Sequence, residues 1–125
     1  MGTWGSGNFD NDGALDFVNQ QIDFYVGGIE GVFGDVDRFR LDEDAESSII
    51  PSVVVVSLLC EHCHGTLPEH VDVLAWKVRH LEMFDDQVDA LEPEPAYKRQ
   101  RRAEISATFD NLLQWRREER VSPTS

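Results

Sequence analysis

The sequence predicts an all-α fold: one compact bundle of four to six helices behind an irregular lead-in rich in glycine and aromatic residues. Three observations carry this. Apolar residues recur at three- and four-residue spacing along most of the chain. Only the run Ile49–Val56 has strand-like propensity, and a lone strand has no neighbour to complete its backbone hydrogen bonds. The 125 residues, 41% hydrophobic and 28% charged, have the composition of a folded domain. A chain of that length buries roughly two-thirds of its surface and needs no disulfide or metal staple.

Residues 1–9 form the lead-in. Gly2, Gly5 and Gly7 permit sharp bends, and Trp4 and Phe9 supply apolar anchors. Asp10, Asn11 and Asp12 offer side-chain oxygens to cap a helix. Ala14, Leu15, Phe17, Val18, Ile22, Tyr25 and Val26 then predict a helix over 12–26. Gly27-Gly28 is expected to break or bend it, leaving Ile29, Val32 and Phe33 on a second short piece that ends near Gly34.

An acid-rich connector follows over 38–48. The run from Ile49 to Val56 fits a buried strand or a buried helix, and periodicity alone does not separate them. Ser47 or Ser48 as N-cap, Pro51 in the first turn and the missing partner strand favour a central helix over 48–63, ended by Gly65. Leu67-Pro68-Glu69 reads as a turn into a helix that carries Val71, Leu74, Ala75, Val78 and Leu81, with Trp76 near its middle. Asp85-Asp86 is expected to start a further short helix through Val88 and Leu91, before Pro93 and Pro95 punctuate the chain. Ile105, Phe109, Leu112 and Trp115 mark a narrow apolar stripe on a last helix over 96–119. The domain is expected to cover 1–120, with 121–125 a frayed tail.

A net charge of −13 argues against nucleic acid, which demands a basic face, and would speed association with a basic protein. The charge is uneven: −9 over 1–50, −7 over 51–95 and +3 over 96–125. Such a pattern predicts that the basic last helix lies against acidic neighbours of its own molecule. The N-terminus lacks the basic and apolar regions of a secretion signal, and two cysteines make no disulfide framework, so a reducing cytoplasm is expected. The longest apolar stretch, Val53–Cys60, is interrupted by Ser57 and is too short for a bilayer. No membrane association is expected.

Cys60-Glu61-His62-Cys63-His64 is the motif most able to carry chemistry. Its C-x-x-C-H pattern is that of covalent haem attachment, which normally requires export. Zinc fits better: on a helix Cys60, Cys63 and His64 share a face, and with His70 just past a turn they complete a four-ligand set. Only half of the usual paired motif is present, however, and cysteine packing with histidines at a helix C-terminus accounts for the same residues without a cofactor. Asn8–Asn19 faintly resembles a calcium loop but lacks its final glutamate, and helix capping explains it. No nucleophile elbow, P-loop or dinucleotide fingerprint occurs.

Trp4-Gly5-x-Gly7-x-Phe9-x-Asn11-Asp12-x-Ala14-x-Asp16-Phe17 resembles the opening of a bacterial family, domain of unknown function 4259. Phe17 stands where tryptophan is common in that family, and the similarity weakens toward the C-terminal third. The resemblance implies a compact helical bacterial protein and brings no activity, cofactor or catalytic residue with it. Trp4, Gly5, Gly7, Phe9, Asn11, Asp12 and Asp16 are read as a folding clamp, with binding as the rival role.

Two functions follow as expectations. The first is a non-enzymatic interaction module for a basic protein, as a small immunity or antitoxin-like protein would be. The alternative is a metal-dependent or hydrolytic enzyme built on Cys60, Cys63, His64 and His70. The absence of a catalytic pattern points away from an enzyme.

Overall fold

Asn11 starts the first helix. Its backbone is extended and its side chain accepts the Ala14 amide at 2.8 Å, meeting one of the unpaired amides of the first turn. From there α1 runs from Asp12 to Phe33. The computed structural model describes the backbone of residues 3–121 and the side chains of residues 3–116. The tail expected over 121–125 lies outside the described residues apart from the backbone of Val121, which the last helix includes.

The break expected at Gly27-Gly28 is absent, and α1 is one continuous helix of 22 residues. The inward stripe explains why. Val26, Ile29, Val32 and Phe33 are all buried, whereas a Cβ at Gly27, Gly28 or Gly31 would meet nothing within 4 Å. Each glycine costs a helix about 1 kcal/mol, while each fully buried aliphatic side chain contributes about 1.5–3 kcal/mol. Burial wins.

Turns over 35–44 reverse the chain, and Arg38 pairs with Asp44 across them at 2.6 Å. Helical structure resumes earlier than the sequence suggests. A π turn spans Ala45–Ile49, in which the Ile50 amide reaches back five residues to the Ala45 carbonyl. Pro51 supplies the reason: it has no amide to donate, and in α geometry its ring would crowd the Ser47 carbonyl. The widened turn relieves that clash. Neither Ser47 nor Ser48 acts as the expected cap; the Ser47 hydroxyl donates to the Glu43 carbonyl instead.

The helix α2 continues over Ile50–Cys63, so the valine run is helical and buries Val53, Val56 and Cys60. The π turn and α2 together form a 19-residue apolar stretch with a mean hydropathy of 1.3, long enough by length and composition to cross a bilayer. That corrects the shorter stretch read from the sequence. In the fold its inward residues serve the core.

The next helix, α3, spans Val73–Gln87 and is capped by Asp72, whose carboxylate accepts the Ala75 amide at 3.0 Å. Leu67-Pro68-Glu69 therefore lies well before the helix start. Asp85 and Asp86 sit inside α3 rather than opening a new helix, and a 3₁₀ turn, Val88–Leu91, follows directly. Last comes α4, Pro95–Val121, with Pro95 at its first position, where a missing amide is harmless.

Two of the helices, α1 and α4, both pack on α2, and α3 packs on α4. The core between them holds Ile22, Ile29, Ile49, Val53, Phe84, Ile105, Phe109 and Leu112, with Trp115 partly buried at its edge. Among the described residues there are four α-helices and no strand, only an isolated bridge between Thr3 and Asn11. The fold is an all-α bundle.

Candidate functional site

Asp10 is the hub of the N-terminal motif. Its Oδ2 accepts the Gly7 amide at 2.9 Å and its carbonyl accepts the Trp4 amide at 2.9 Å, closing residues 4–10 into a tight loop. A Cβ on Gly5 or Gly7 would stand 2.5 or 2.7 Å from that same Oδ2, so the glycines are needed for the close approach of backbone to carboxylate. Asn11 caps α1, and Asp12 accepts from the Trp4 indole at 3.2 Å. Phe9 packs against the core, while Trp4 remains half exposed. Asp16 lies exposed on α1, outside these contacts.

His64 joins this clasp. The left-handed residue at the end of α2 (φ 61°), it donates from Nε2 to Asp10 Oδ1 at 3.0 Å and meets the Trp4 ring edge-on at 5.4 Å between centroids. Gly65 lets the chain turn there. A Cβ on it would overlap Ile22 Cδ1 and lie 3.1 Å from both Val18 Cγ1 and the Leu59 carbonyl oxygen. Two motifs that are unconnected in the sequence thus meet at the junction of α1 and α2.

The four candidate zinc ligands take different roles. Cys60 is buried on α2 and Cys63 is half-buried at its end; both are thiols. His64 has left the helix and bonds Asp10, which removes the shared face assumed for the three. His70 lies 3.1 Å from Glu30 of α1. No group of three or more His, Cys, Asp or Glu side chains that could hold a metal ion occurs among the described residues.

A second cluster went unread in the sequence. Glu46, on the π turn, accepts from Arg101 of α4 through Nε at 2.8 Å and again through Nη2. His80 of α3 lies behind it, fully buried, with Nε2 3.9 Å from Glu46 Oε1, too long for a hydrogen bond. Phe109 and Phe39 flank the imidazole at 5.4 and 6.1 Å between centroids. Burial opposes ionisation of Glu46, but the His80 ring and the Arg101 guanidinium outweigh it and hold the carboxyl below its ordinary range. Beside the pair is a small cavity of about 90 Å³ lined by Phe84, Val88, Tyr97 and Arg101. One signal for the cluster was available: His80 falls on the buried stripe of Val73, Trp76, Met83 and Phe84. Glu46 was lost among the acids of the connector.

Four basic residues of α4 among the described side chains are engaged within the molecule. Lys98 pairs with Asp89, Arg102 with Asp85 through two bonds, and Arg101 with Glu46; Arg116 donates to the Pro68 carbonyl. On α3, Lys77 pairs with Asp110, and Arg79 donates to the Phe33 carbonyl while lying over the Phe33 and Phe39 rings. Asp86 and Asp42, the latter 3.5 Å from Arg40, are exposed and border a surface hollow with the exposed Val36 and Leu91.

No protein family, no curated protein and no solved structure matches the chain.

Proposed function

We propose that the protein is a non-enzymatic interaction module that binds a basic protein through its acidic surface. The distribution of charge carries this reading. Among the described side chains, Lys77, Lys98, Arg101 and Arg102 of α3 and α4 are tied to carboxylates of the same molecule and Arg79 and Arg116 to carbonyls, so much of the excess of acid in a chain of net charge −13 is presented outward. A compact scaffold with that surface suits an immunity or antitoxin-like role, in which a small acidic protein docks on a cationic one and long-range attraction speeds the encounter. The N-terminal motif supports kinship with the domain of unknown function 4259 family, and a reducing cytoplasm suits the two thiols.

The test is affinity capture from the native host at low and at moderate salt. A cationic protein should be retained at low salt and progressively released as the Debye length shortens. Recovery of no partner under either condition would overturn the proposal.

A further inference from the structure

The outward side of α1 is unusual for so acidic a chain. Its exposed residues divide into two parallel tracks. One carries no charge: Gly13, Phe17, Gln20, Phe24, Gly28 and Gly31 follow one another at three- and four-residue steps, with Gly27 at the margin. Phe17 is 59% exposed and Phe24 74%. The other track is wholly acidic, formed by Asp12, Asp16, Asp23 and Glu30, and α1 contains no lysine or arginine. The inward stripe of Val18, Ile22, Val26, Ile29 and Val32 already holds α1 to the bundle, so neither outward track is needed for the core.

Building on the basic-partner reading, we propose that this face of α1 is the docking surface, and that its occupant is an amphipathic helix of a partner protein with lysine or arginine along one flank of its apolar stripe. The chemistry of the two tracks is complementary to such a helix. Phe17 and Phe24 are separated by two helical turns, about 10.5 Å along the axis, the spacing at which a partner helix also repeats its apolar face. Beyond them a Cβ at Gly27, Gly28 or Gly31 would meet open space, so a second backbone approaches closely over that part of α1. Asp16 and Asp23 lie the same two turns apart, placed to meet cations on the flank of the incoming helix. Asp12 and Glu30 at the ends of the track already meet Trp4 and His70. Binding therefore buries two phenylalanines and pairs Asp16 and Asp23 at once, which explains why these large apolar residues stand exposed beside acids rather than among mixed charges.

The experiment uses the full chain and a labelled helical peptide of about 20 residues, matched in length to α1. The peptide carries a leucine stripe flanked by lysine, and a control replaces each lysine with glutamate. Fluorescence anisotropy at low salt should show binding of the lysine peptide only. Phe17→Ser/Phe24→Ser should weaken it at least roughly tenfold. Asp16→Asn/Asp23→Asn should weaken it and flatten its salt dependence, whereas Asp42→Asn/Asp86→Asn, on the surface hollow, should leave it unchanged. Because serine at exposed positions can still disturb a fold, amide chemical-shift changes in the wild-type protein provide an independent map, expected along residues 13–31.

Unchanged binding by both α1 variants, or shift changes confined to the hollow, overturns the α1 surface and leaves the basic-partner reading standing. Failure of the lysine peptide to bind wild type, or equal binding of the glutamate peptide, overturns the partner chemistry; capture from the host then decides the broader reading separately. Light scattering that shows a dimer dissociated by Phe24→Ser also overturns the proposal, because the occupant is then a second copy of this chain.

Discussion

Replacing both Gly27 and Gly28 with alanine should raise the stability of the protein, although the sequence reads as if these residues were a hinge. A Cβ at either position meets no atom within 4 Å, both residues lie inside the continuous α1, and no glycine among the described residues has a positive φ. Alanine therefore adds helix propensity and narrows the unfolded ensemble without creating a clash. Each exposed glycine-to-alanine change in a helix interior contributes about 0.8–1.0 kcal/mol. Adjacent residues on a helix do not face each other, so the two effects should nearly add to about 2 kcal/mol. For a domain of this size that corresponds to a rise in Tm of roughly 6–10 °C. The measurement is a thermal melt followed by circular dichroism, with urea unfolding at 25 °C as a second reading of the same difference. An unchanged or lowered Tm would refute the continuous helix, since alanine would then be entering a bend that needs glycine.

Three further outcomes follow from the packing. Gly65→Ala should have the opposite sign, costing about 1–3 kcal/mol, because its Cβ overlaps Ile22 and crowds the Leu59 carbonyl; a shift in the urea midpoint checks it. Asp10→Ala should cost about 1–3 kcal/mol, by removing the acceptor of the Gly7 amide and the partner of His64, and should shift the indole resonance of Trp4. Glu46→Gln should destabilise at pH 7, and its deficit should shrink on acidification. The folded-state pKa of Glu46 is depressed, so its contribution is present above the unfolded value of 4.5 and is lost as pH falls through the lower folded value. Urea titrations of both proteins from pH 7 to pH 3 measure this, and a deficit independent of pH would refute it.

Much of the bundle was legible because burial imposes a period on the sequence. Val18, Ile22, Val26 and Ile29, and later Ile105, Phe109 and Leu112, lie at helical steps and are all buried. Element boundaries were harder. They depend on residues whose effects compete: Gly27-Gly28 weakens a helix locally, but the stripe on either side holds it together. Pro51 reads as a first-turn proline, yet helical structure begins upstream because a π turn accommodates it. The N-terminal motif was legible as a unit, and its cap residue Asn11 was among those foreseen. Its contact with His64 was not, since 54 residues separate His64 from Asp10 and no local pattern joins them. Glu46 and Arg101 stayed hidden for the same reason, each resembling its exposed neighbours in the sequence. The α1 face is not legible in the sequence either, because an apolar Phe17 beside Val18 reads as part of the inward stripe although it is exposed.

The π turn also sets the rotational phase of everything upstream of α2. A widened turn holds one residue more than an α turn, so the chain before it is rotated by about 100° relative to an uninterrupted helix. Glu46 points between Arg101 and His80 only with that offset. Removing Ser47 or Ser48 would leave a helix of ordinary geometry while swinging the Glu46 carboxylate around the axis and away from both partners. Insertions and deletions here are therefore changes of angle before they are changes of length. The segment 35–44, which delivers α1 to this turn, would have to follow the rotation or unwind.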